Sequence, residues 1–244
     1  MFDQRHNCQS LEPVWQRIDR IYCISLEDRT DRQTSVRDQF ARVGLADQAA
    51  FFLARRHTSN CEQGIFESHQ ACLKMGLYAG ARHILVFEDD VVFGKIDAVR
   101  LAKGLDFFLH TEACKILFLG CLASRSRATE APGIRSIRYR CLTHAYLIKA
   151  SLAGQIAEAS WQKIPYDIML QNMIENPFAL YPSIAFQNSS PSDNSRHRTL
   201  DTTRRLLGGL RLIQTVNERY HRFRYTVIAT HLVVIGAVIL WMLS

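Results

Sequence analysis

The 244-residue sequence is poor in the residues that mark several common classes of protein. It has only 12 glycines and 6 prolines, too few for a collagen-like or low-complexity chain, and a hydrophobic content of 48% that excludes intrinsic disorder. Its 7 cysteines are scattered and include no Cys-x-x-Cys pair, which argues against a disulfide-stapled secreted domain and against a structural zinc site. The composition indicates a globular domain with reduced thiols and a well-buried core.

Formal charge is absent from the end of the chain, because no Asp, Glu, Lys or Arg follows Arg224. The apolar run from Thr226 to Leu243 includes a single histidine, and a helix over residues 225–244 spans about 30 Å, the thickness of a bilayer's hydrocarbon core. Tyr225 and Trp241 lie near its ends, where interfacial aromatic residues are common. The pattern predicts a single-pass transmembrane anchor, and the alternative is a buried core helix.

The basic excess lies directly before this run, with eight arginines and only two acidic residues between residues 196 and 224. Residues 1–195 therefore carry only +1 of the formal net charge of +7. An apolar stripe among these arginines predicts an amphipathic helix on an anionic membrane surface, with Leu206, Leu210, Ile213, Val216, Tyr220 and Phe223 in the stripe. A local basic segment beside an apolar anchor does not indicate a nucleic-acid-binding face.

These features divide the chain into a domain of residues 1–195, a juxtamembrane segment of residues 196–224 and an anchor of residues 225–244. The first residues are polar and lack the apolar stretch of a signal peptide. The arginines before the anchor place the domain at the cytoplasmic face of a membrane, and a bacterial inner membrane fits this topology. We therefore expect a cytoplasmic domain tethered by its C-terminal tail.

Apolar patterning predicts alternating strands and helices through the domain, which is typical of an α/β fold with a mostly parallel sheet. The basic stretch Ser124–Arg140 is predicted to be an irregular loop, and the Ser- and Asn-rich stretch Phe186–Arg198 a loop or linker. The predicted strands are Arg20–Leu26, Ala49–Leu53, Ile84–Phe87, Lys115–Leu119 and Ala179–Tyr181, and the predicted helices include Gly64–Gly80, Ile96–Leu109, Ala150–Ser160 and Asp167–Glu175.

The strongest chemical signal is ILVFEDDVVF, residues 84–93, in which a short strand ends in three adjacent carboxylates, Glu88, Asp89 and Asp90. Ligands of open α/β sheets bind outside the carboxyl ends of the strands. Three neighbouring carboxylates repel one another unless a cation joins them, and oxygen ligands suit Mn²⁺ or Mg²⁺ bound together with substrate phosphates. An acidic turn facing water is the alternative.

Other candidate groups are weaker when taken one at a time. For Ser68-His69 and for His144, a histidine packed on an element face and satisfied by a backbone carbonyl is the simpler account, and a role in a site is the alternative. Arg29 and Arg32 follow the first strand and could hold a diphosphate, or could be solvated charges in the first turn of a helix. Asp167 begins a predicted helix, where a capping role is the simplest account.

Six motifs occur in order over residues 18–193, and together they resemble glycosyltransferase family 25. This family contains lipooligosaccharide and lipopolysaccharide glycosyltransferases, and its relatives include collagen galactosyltransferases. The family commonly has Asn at the position of Ser25. The motifs are ISLEDRTDR, GIFESHQACL, LVFEDDVVF, THAYLI, PYDIML and FQNSSPSD.

The resemblance implies a GT-A type, Rossmann-like nucleotide-binding fold, a UDP-sugar donor and inverting transfer of a hexose, galactose or glucose, to a glycan acceptor. The predicted membrane anchor favours a lipid-linked acceptor, and a soluble acceptor is the alternative. It implies that Glu88 and Asp90 bind Mn²⁺ or Mg²⁺ and that Asp89 lies nearer the donor sugar or ribose. Asp167 is implied as the general base, with Asp89 or Glu88 as alternatives. Donor contacts are implied for the remaining candidates, Arg29, Arg32, Ser68, His69 and His144.

Two other functions are consistent with the same residues. Carboxylates at strand ends also serve metal-dependent phosphohydrolases, although the sequence has no Asp-x-Asp-x-Thr or Asp-x-Glu nucleophile pattern. A catalytically degenerate, membrane-anchored adaptor is the non-enzymatic alternative.

Overall fold

Strands and helices alternate through the first half of the domain much as the apolar pattern predicts. The computed structural model describes residues 11–188 and 209–243. Asn60 caps the long third helix by accepting hydrogen bonds from the backbone N–H groups of Glu62 and Gln63. The elements are α1 (Glu12–Trp15), β1 (Arg20–Leu26), α2 (Thr30–Arg42), β2 (Ala49–Ala54), α3 (Cys61–Tyr78), β3 (His83–Glu88), β4 (Val91–Phe93) and α4 (Ala98–His110).

The second half supplies the remaining strands and the C-terminal helix. Its elements are β5 (Ile116–Phe118), β6 (Leu122–Ala128), β7 (Ile134–Cys141), β8 (Ala145–Lys149), α5 (Ala150–Glu158), α6 (Tyr166–Met173), β9 (Phe178–Leu180), β10 (Ala185–Gln187) and α7 (Gly209–Leu243). The six cysteines within the described residues are free thiols, as the scattered spacing predicts.

The main sheet has eight strands in the order β2-β1-β3-β8-β5-β9-β7-β6. The pairings show that six strands run in one direction and that β7 and β8 run in the other. Strands β4 and β10 form a separate antiparallel pair. The predicted α/β fold with a mostly parallel sheet is confirmed.

The predicted irregular loop at Ser124–Arg140 is wrong, because this segment forms most of the antiparallel hairpin of β6 and β7. Ile137 and Tyr139 are buried on one face of the hairpin, while Arg138 and Arg140 are exposed on the other. This is the period-two pattern of a half-buried strand, and the high density of arginine concealed it. The predicted loop from Phe186 also begins two residues too early, since β10 continues to Gln187.

Two apolar clusters cover the two faces of the sheet and create a three-layer sandwich. In β3, Leu85 and Phe87 belong to one cluster, and Ile84 and Val86 belong to the other, as alternation along a strand requires. Helices α2 and α4 contribute to the first cluster, and helices α3, α5 and α6 contribute to the second. Because β3 is an interior strand that is buried on both faces, the position of its carboxyl end, where Glu88 lies, is fixed by packing.

The C-terminal tail is one continuous helix, α7, rather than separate amphipathic and membrane helices. By length and composition it can cross a membrane, and none of its 18-residue apolar window is buried. Its first turns pack against the domain. The Oδ1 of Asn217 accepts a hydrogen bond of 3.1 Å from the backbone N–H of Ala123, and its Nδ2 donates one of 2.9 Å to the carbonyl of Ala123. The amide of Asn217 thus pairs with the open edge of β6.

Further polar contacts attach the same part of α7 to the domain. Gln214 is fully buried and donates to the carbonyl of Ala185 at 2.9 Å, and Glu218 accepts the N–H of Ser183 at 2.8 Å. The helix is therefore joined to the domain by its polar face. The predicted segment of residues 196–208, including Leu206, and the linker from residue 189 lie outside the described residues.

Candidate active site

The three adjacent carboxylates lie where the chain changes direction across the sheet. Strand β1 is flanked by β2 on one side and by β3 on the other, so the connections after β1 and after β2 run in opposite directions. The carboxyl ends of β1 and β3 therefore border a crevice of the kind in which open α/β sheets bind ligands. Glu88 ends β3, and Asp89 and Asp90 follow in the turn before β4.

Asp89 is held by groups from β1 and α2. Its carboxylate accepts a hydrogen bond of 2.6 Å from the hydroxyl of Ser25 and another of 3.1 Å from the guanidinium of Arg32. Burial raises the pKa of Asp89, while both donors lower it. With these partners its carboxylate has a fixed orientation within the crevice.

Asp90 has one engaged oxygen and one buried oxygen that lacks a hydrogen-bond partner among the described residues. Its Oδ2 accepts from the amide of Gln187 at 2.8 Å and lies 4.0 Å from the guanidinium of Arg32. Burial, and next the negative charge of Glu88, raise the pKa of Asp90 to about 7. A buried carboxylate oxygen without a partner costs stability, so it is a candidate for ligand binding.

Glu88 is joined to a row of buried aromatic and hydroxyl groups. Its Oε1 accepts from the hydroxyl of Thr143 at 2.7 Å and lies 3.4 Å from Nε2 of His69. Burial raises the pKa of Glu88, but the contacts with His69 and Thr143 outweigh it and leave the pKa below its ordinary value. Glu88 is therefore held as a carboxylate.

His69 is fixed within this row rather than exposed in the crevice. Its Nδ1 lies 3.0 Å from the hydroxyl of Tyr146, which in turn lies 3.1 Å from the hydroxyl of Tyr166. The ring of His69 stacks on the ring of Tyr166 at a centroid distance of 4.2 Å, and only 1% of the residue is exposed. In this structure the imidazole of His69 contacts the carboxylate of Glu88.

Asp167 lies in the first turn of α6, whose N-terminal cap position is occupied by Pro165, so the capping account does not apply. Its Oδ1 accepts a hydrogen bond of 2.8 Å from the hydroxyl of Tyr139. Burial raises the pKa of Asp167, the contact with Tyr139 lowers it, and the charge of Glu88 raises it again. Asp167 therefore belongs to the same electrostatic cluster as Glu88.

The segment between β7 and β8 brings Thr143 and His144 to this cluster. Leu142 has φ of 79°, a left-handed conformation that is strained for a leucine. The backbone of Leu142 also contacts Asp167. His144 is fully buried, burial lowers its pKa, and its backbone carbonyl accepts from the N–H of Glu88 at 3.0 Å.

For two of the predicted site residues, the structure shows contacts outside this cluster. Arg29 is paired at 2.9 Å with Asp31, which is exposed. The hydroxyl of Ser68 donates at 2.7 Å to the carbonyl of Gly64 within α3. The other predicted residues are brought to the cluster, namely Arg32, His69, Glu88, Asp89, Asp90, His144 and Asp167.

The structure adds partners that sequence reasoning did not select. Thr143 lies in the motif THAYLI and Gln187 in the motif FQNSSPSD. A single neutral polar residue in such a motif does not by itself indicate contact with a carboxylate. Tyr139 lay in the segment predicted to be a loop. Ser25 is not among the predicted site residues, and its hydroxyl contacts Asp89.

The described residues contain no group of three or more His, Cys, Asp or Glu side chains arranged to hold a metal ion. A cation bound to protein and substrate together needs fewer protein ligands, because Mg²⁺ is commonly held by one or two carboxylates plus substrate phosphates. The partnerless oxygen of Asp90 fits such a ligand. Oε1 of Glu88 is already engaged with Thr143 and His69.

Comparisons with known proteins gave no match to a family model and no significant match to a curated protein. Similar solved structures include a glycosyltransferase involved in the glycosylation of the major capsid of PBCV-1, with 9% identity and a TM-score of 0.44 over 75% of this chain and 98% of that one. UDP-glucose pyrophosphorylase in complex with UDP-glucose has 11% identity and a TM-score of 0.39 over 70% of this chain and 76% of that one. Mannose-1-phosphate geranyltransferase from Thermus thermophilus has 15% identity and a TM-score of 0.39 over 70% of this chain and 63% of that one.

Proposed function

We propose that this chain is a metal-dependent, inverting glycosyltransferase of the family 25 type. It transfers a hexose, galactose or glucose, from a UDP-sugar to a hydroxyl group of a lipopolysaccharide-like or other glycan acceptor. The observation that supports this most directly is the convergence of side chains from four separate motifs at the carboxyl end of β3. Arg32, His69 and Asp167 lie far apart in the sequence, yet each interacts with a carboxylate of the run Glu88–Asp90.

The donor's diphosphate belongs beside Asp90 and Arg32. Arg32 supplies a buried positive charge in contact with Asp89, and Asp90 supplies a carboxylate oxygen with no other partner among the described residues. A divalent cation shared by Asp90 and the diphosphate would supply Lewis-acid stabilisation of the charge that builds on the leaving UDP. Arg32 adds to this stabilisation through its own charge.

Asp167 is our candidate for the general base. Inversion requires one group to accept a proton from the acceptor hydroxyl as it attacks the anomeric carbon. Burial raises the pKa of Asp167, which makes its carboxylate more basic than an exposed one. The hydrogen bond from Tyr139 to Oδ1 fixes the position of this carboxylate. Asp89 is a weaker candidate because Ser25 and Arg32 both donate to it.

The membrane location is part of the proposal. Helix α7 is long and apolar enough to span a bilayer, and arginines precede its apolar part. By the positive-inside rule we place the domain at the cytoplasmic face, as in a bacterial inner membrane. A lipid-linked glycan is then the acceptor that the tethered domain meets most often.

The function is tested with the full chain in detergent micelles, a panel of UDP-sugars, and Mn²⁺ or Mg²⁺. One UDP-hexose should be turned over with release of UDP, and removal of the metal with a chelator should abolish turnover. Asp90→Asn should lower turnover at least about 100-fold because it removes a charge needed in the transition state. Asp38→Asn on the exposed surface of α2 is the matched control and should have no effect.

Four results would contradict the proposal. Turnover that is independent of metal would remove the role of Asp90, as would full activity of the Asp90→Asn variant. Hydrolysis of phosphomonoesters without binding of UDP would favour the phosphohydrolase instead. Absence of any heat of binding with UDP and Mn²⁺ in calorimetry would favour the adaptor.

A further inference from the structure

The edge hairpin of β6 and β7 has a densely basic face. Arg125, Arg127, Arg138 and Arg140 are exposed, and between residues 122 and 141 the only acidic residue is Glu130. None of these four arginines has an ion pair among the described residues, where the paired arginines are Arg17, Arg29, Arg32, Arg55 and Arg56. The hairpin therefore carries a concentration of uncompensated positive charge.

The register of the hairpin makes this charge unfavourable for the isolated domain. Arg125 lies directly opposite Arg138 in the antiparallel pair, and Arg127 lies opposite Ser136. Cross-strand neighbours share one face of a sheet, and like charges in directly opposite positions repel. All three arginines thus project from the same face, so an anionic partner placed against that face would relieve the repulsion.

The position of the hairpin next to α7 identifies the partner. Asn217 of α7 pairs with Ala123 of β6, and four residues further along the helix the carbonyl of His221 accepts from the hydroxyl of Ser126. Strand β6 and helix α7 therefore advance in the same direction, toward the apolar part of α7. These hydrogen bonds attach the strand that carries part of the basic face to the helix that contains the anchor.

Counted from the contact between Ser126 and His221, the end of β6 and the beginning of the apolar run lie about equally far along their elements. From His221 to Thr226 the helix advances about 7.5 Å at 1.5 Å per residue, and from Ser126 to Ala128 the strand advances about 7 Å at 3.3 Å per residue. Arg127 is then about one strand residue, roughly 3 Å, before that level. Arg219 and Arg222 of α7 are also exposed, and in the sequence they flank His221, whose carbonyl contacts Ser126.

We propose that Arg125, Arg127 and Arg138, together with Arg219 and Arg222, form a headgroup-binding surface for the anionic phospholipids of the membrane that holds α7. This inference rests on the membrane anchoring proposed above, and it goes further by making the catalytic domain itself a membrane contact. Guanidinium groups bind phosphate oxygens in bidentate fashion, and juxtamembrane basic residues are attracted to anionic leaflets. Binding at this surface fixes the tilt of the domain relative to the bilayer.

The test uses the full chain in lipid nanodiscs with photoreactive benzoylphenylalanine at Ala128, which is exposed at the end of β6. Crosslinking to lipid should be at least about fivefold higher in discs containing about 30% phosphatidylglycerol than in discs of phosphatidylcholine alone, and it should decline in high salt. The same photoreactive group at Tyr78, which is 98% exposed on α3 at the other end of the sheet, should give no lipid adduct in either disc.

Charge reversal separates a specific surface from a general electrostatic effect. The triple variant Arg125→Glu, Arg127→Glu, Arg138→Glu replaces one like-charge pair by another, and it should reduce the adduct at position 128 to the level seen with phosphatidylcholine. A control with the same change in net charge, Arg20→Glu, Arg42→Glu, Lys74→Glu, alters exposed residues on β1, α2 and α3 and should leave the adduct unchanged.

The outcomes distinguish this inference from the anchoring on which it rests. A chain that fails to enter nanodiscs would overturn the anchor. A chain that enters them but gives equal crosslinking in both lipids, or loses its adduct equally in the two charge-reversal variants, would overturn the headgroup surface. An adduct to a co-purified protein or nucleic acid in place of lipid would also overturn it.

Discussion

Replacement of Asp90 by Asn should stabilise the protein at neutral and alkaline pH while it destroys donor binding. On folding, burial and the charge of Glu88 raise the pKa of this carboxyl from 3.8 to about 7. The folded state therefore holds the proton more tightly than the unfolded state. For such a group the free energy of unfolding falls as pH rises from about 4 to about 7, and it stays level above that range.

The loss associated with ionisation of Asp90 is on the order of 4 kcal/mol, because a tenfold change in proton affinity corresponds to about 1.4 kcal/mol. Asn retains an oxygen for the amide of Gln187, but it places an N–H group where the partnerless Oδ1 lay, at a cost of about 1–3 kcal/mol. The net gain at pH 8 should be about 1–3 kcal/mol, or about 3–10 °C in Tm. At pH 4.5 no gain is expected.

The measurement is thermal unfolding of the full chain in micelles, without metal or nucleotide, from pH 4.5 to pH 8. The quantity of interest is the difference in Tm between Asp90→Asn and the unaltered chain, which should grow with pH. Asp38→Asn should give a difference that does not depend on pH. The reasoning is refuted if Asp90→Asn lowers Tm by the same amount at every pH, since ionised Asp90 would then carry no cost in the fold.

Two further predictions concern the base and the anchor. Tyr139→Phe removes a hydroxyl whose hydrogen bond lowers the pKa of Asp167, so the pKa of Asp167 should rise. As a result kcat should fall about tenfold, and the acid limb of the pH–rate profile should move to higher pH. Tyr22→Phe, at a hydroxyl outside the cluster, is the control, and an unchanged profile in Tyr139→Phe would exclude Asp167 as the base. Asn217→Ala leaves the N–H and C=O groups of Ala123 without the amide that binds them, and it should destabilise the contact of α7 with β6 by about 1–3 kcal/mol. The measurement is amide hydrogen exchange, which should become faster in β6. Thr215→Ala on the same helix is the control and should not affect β6, and equal exchange in both variants would show that other contacts hold the helix.

Much of the fold could be predicted from local patterns. Strand β1 was predicted with its observed bounds, and β3 within one residue at each end, because buried strands are continuous apolar runs. The hairpin of β6 and β7 was missed because five arginines in twenty residues outweigh the alternation of Ile137 and Tyr139. The periodic signal was present, but composition masked it.

The acidic run Glu88–Asp90 and the apolar run at the end of the chain can both be recognised from the sequence alone. Carboxylates at the end of an apolar strand, and an apolar run without charge, are determined by covalent order alone. The sequence also supplied the candidates Arg32, His69 and Asp167. It could not show that Arg29 pairs with Asp31 while Arg32 contacts Asp89, since two arginines so close in the sequence have the same local signal.

Only the tertiary structure decided which groups hold the carboxylates. Ser25, Thr143, Tyr139 and Gln187 come from four different elements or loops, and their contacts with the acidic residues depend on strand order rather than on spacing. The attachment of α7 to β6 is of the same kind. Local sequence sets which segments can form strands and helices, whereas long-range hydrogen bonding and burial select the partners, because their energies depend on groups that are distant along the chain.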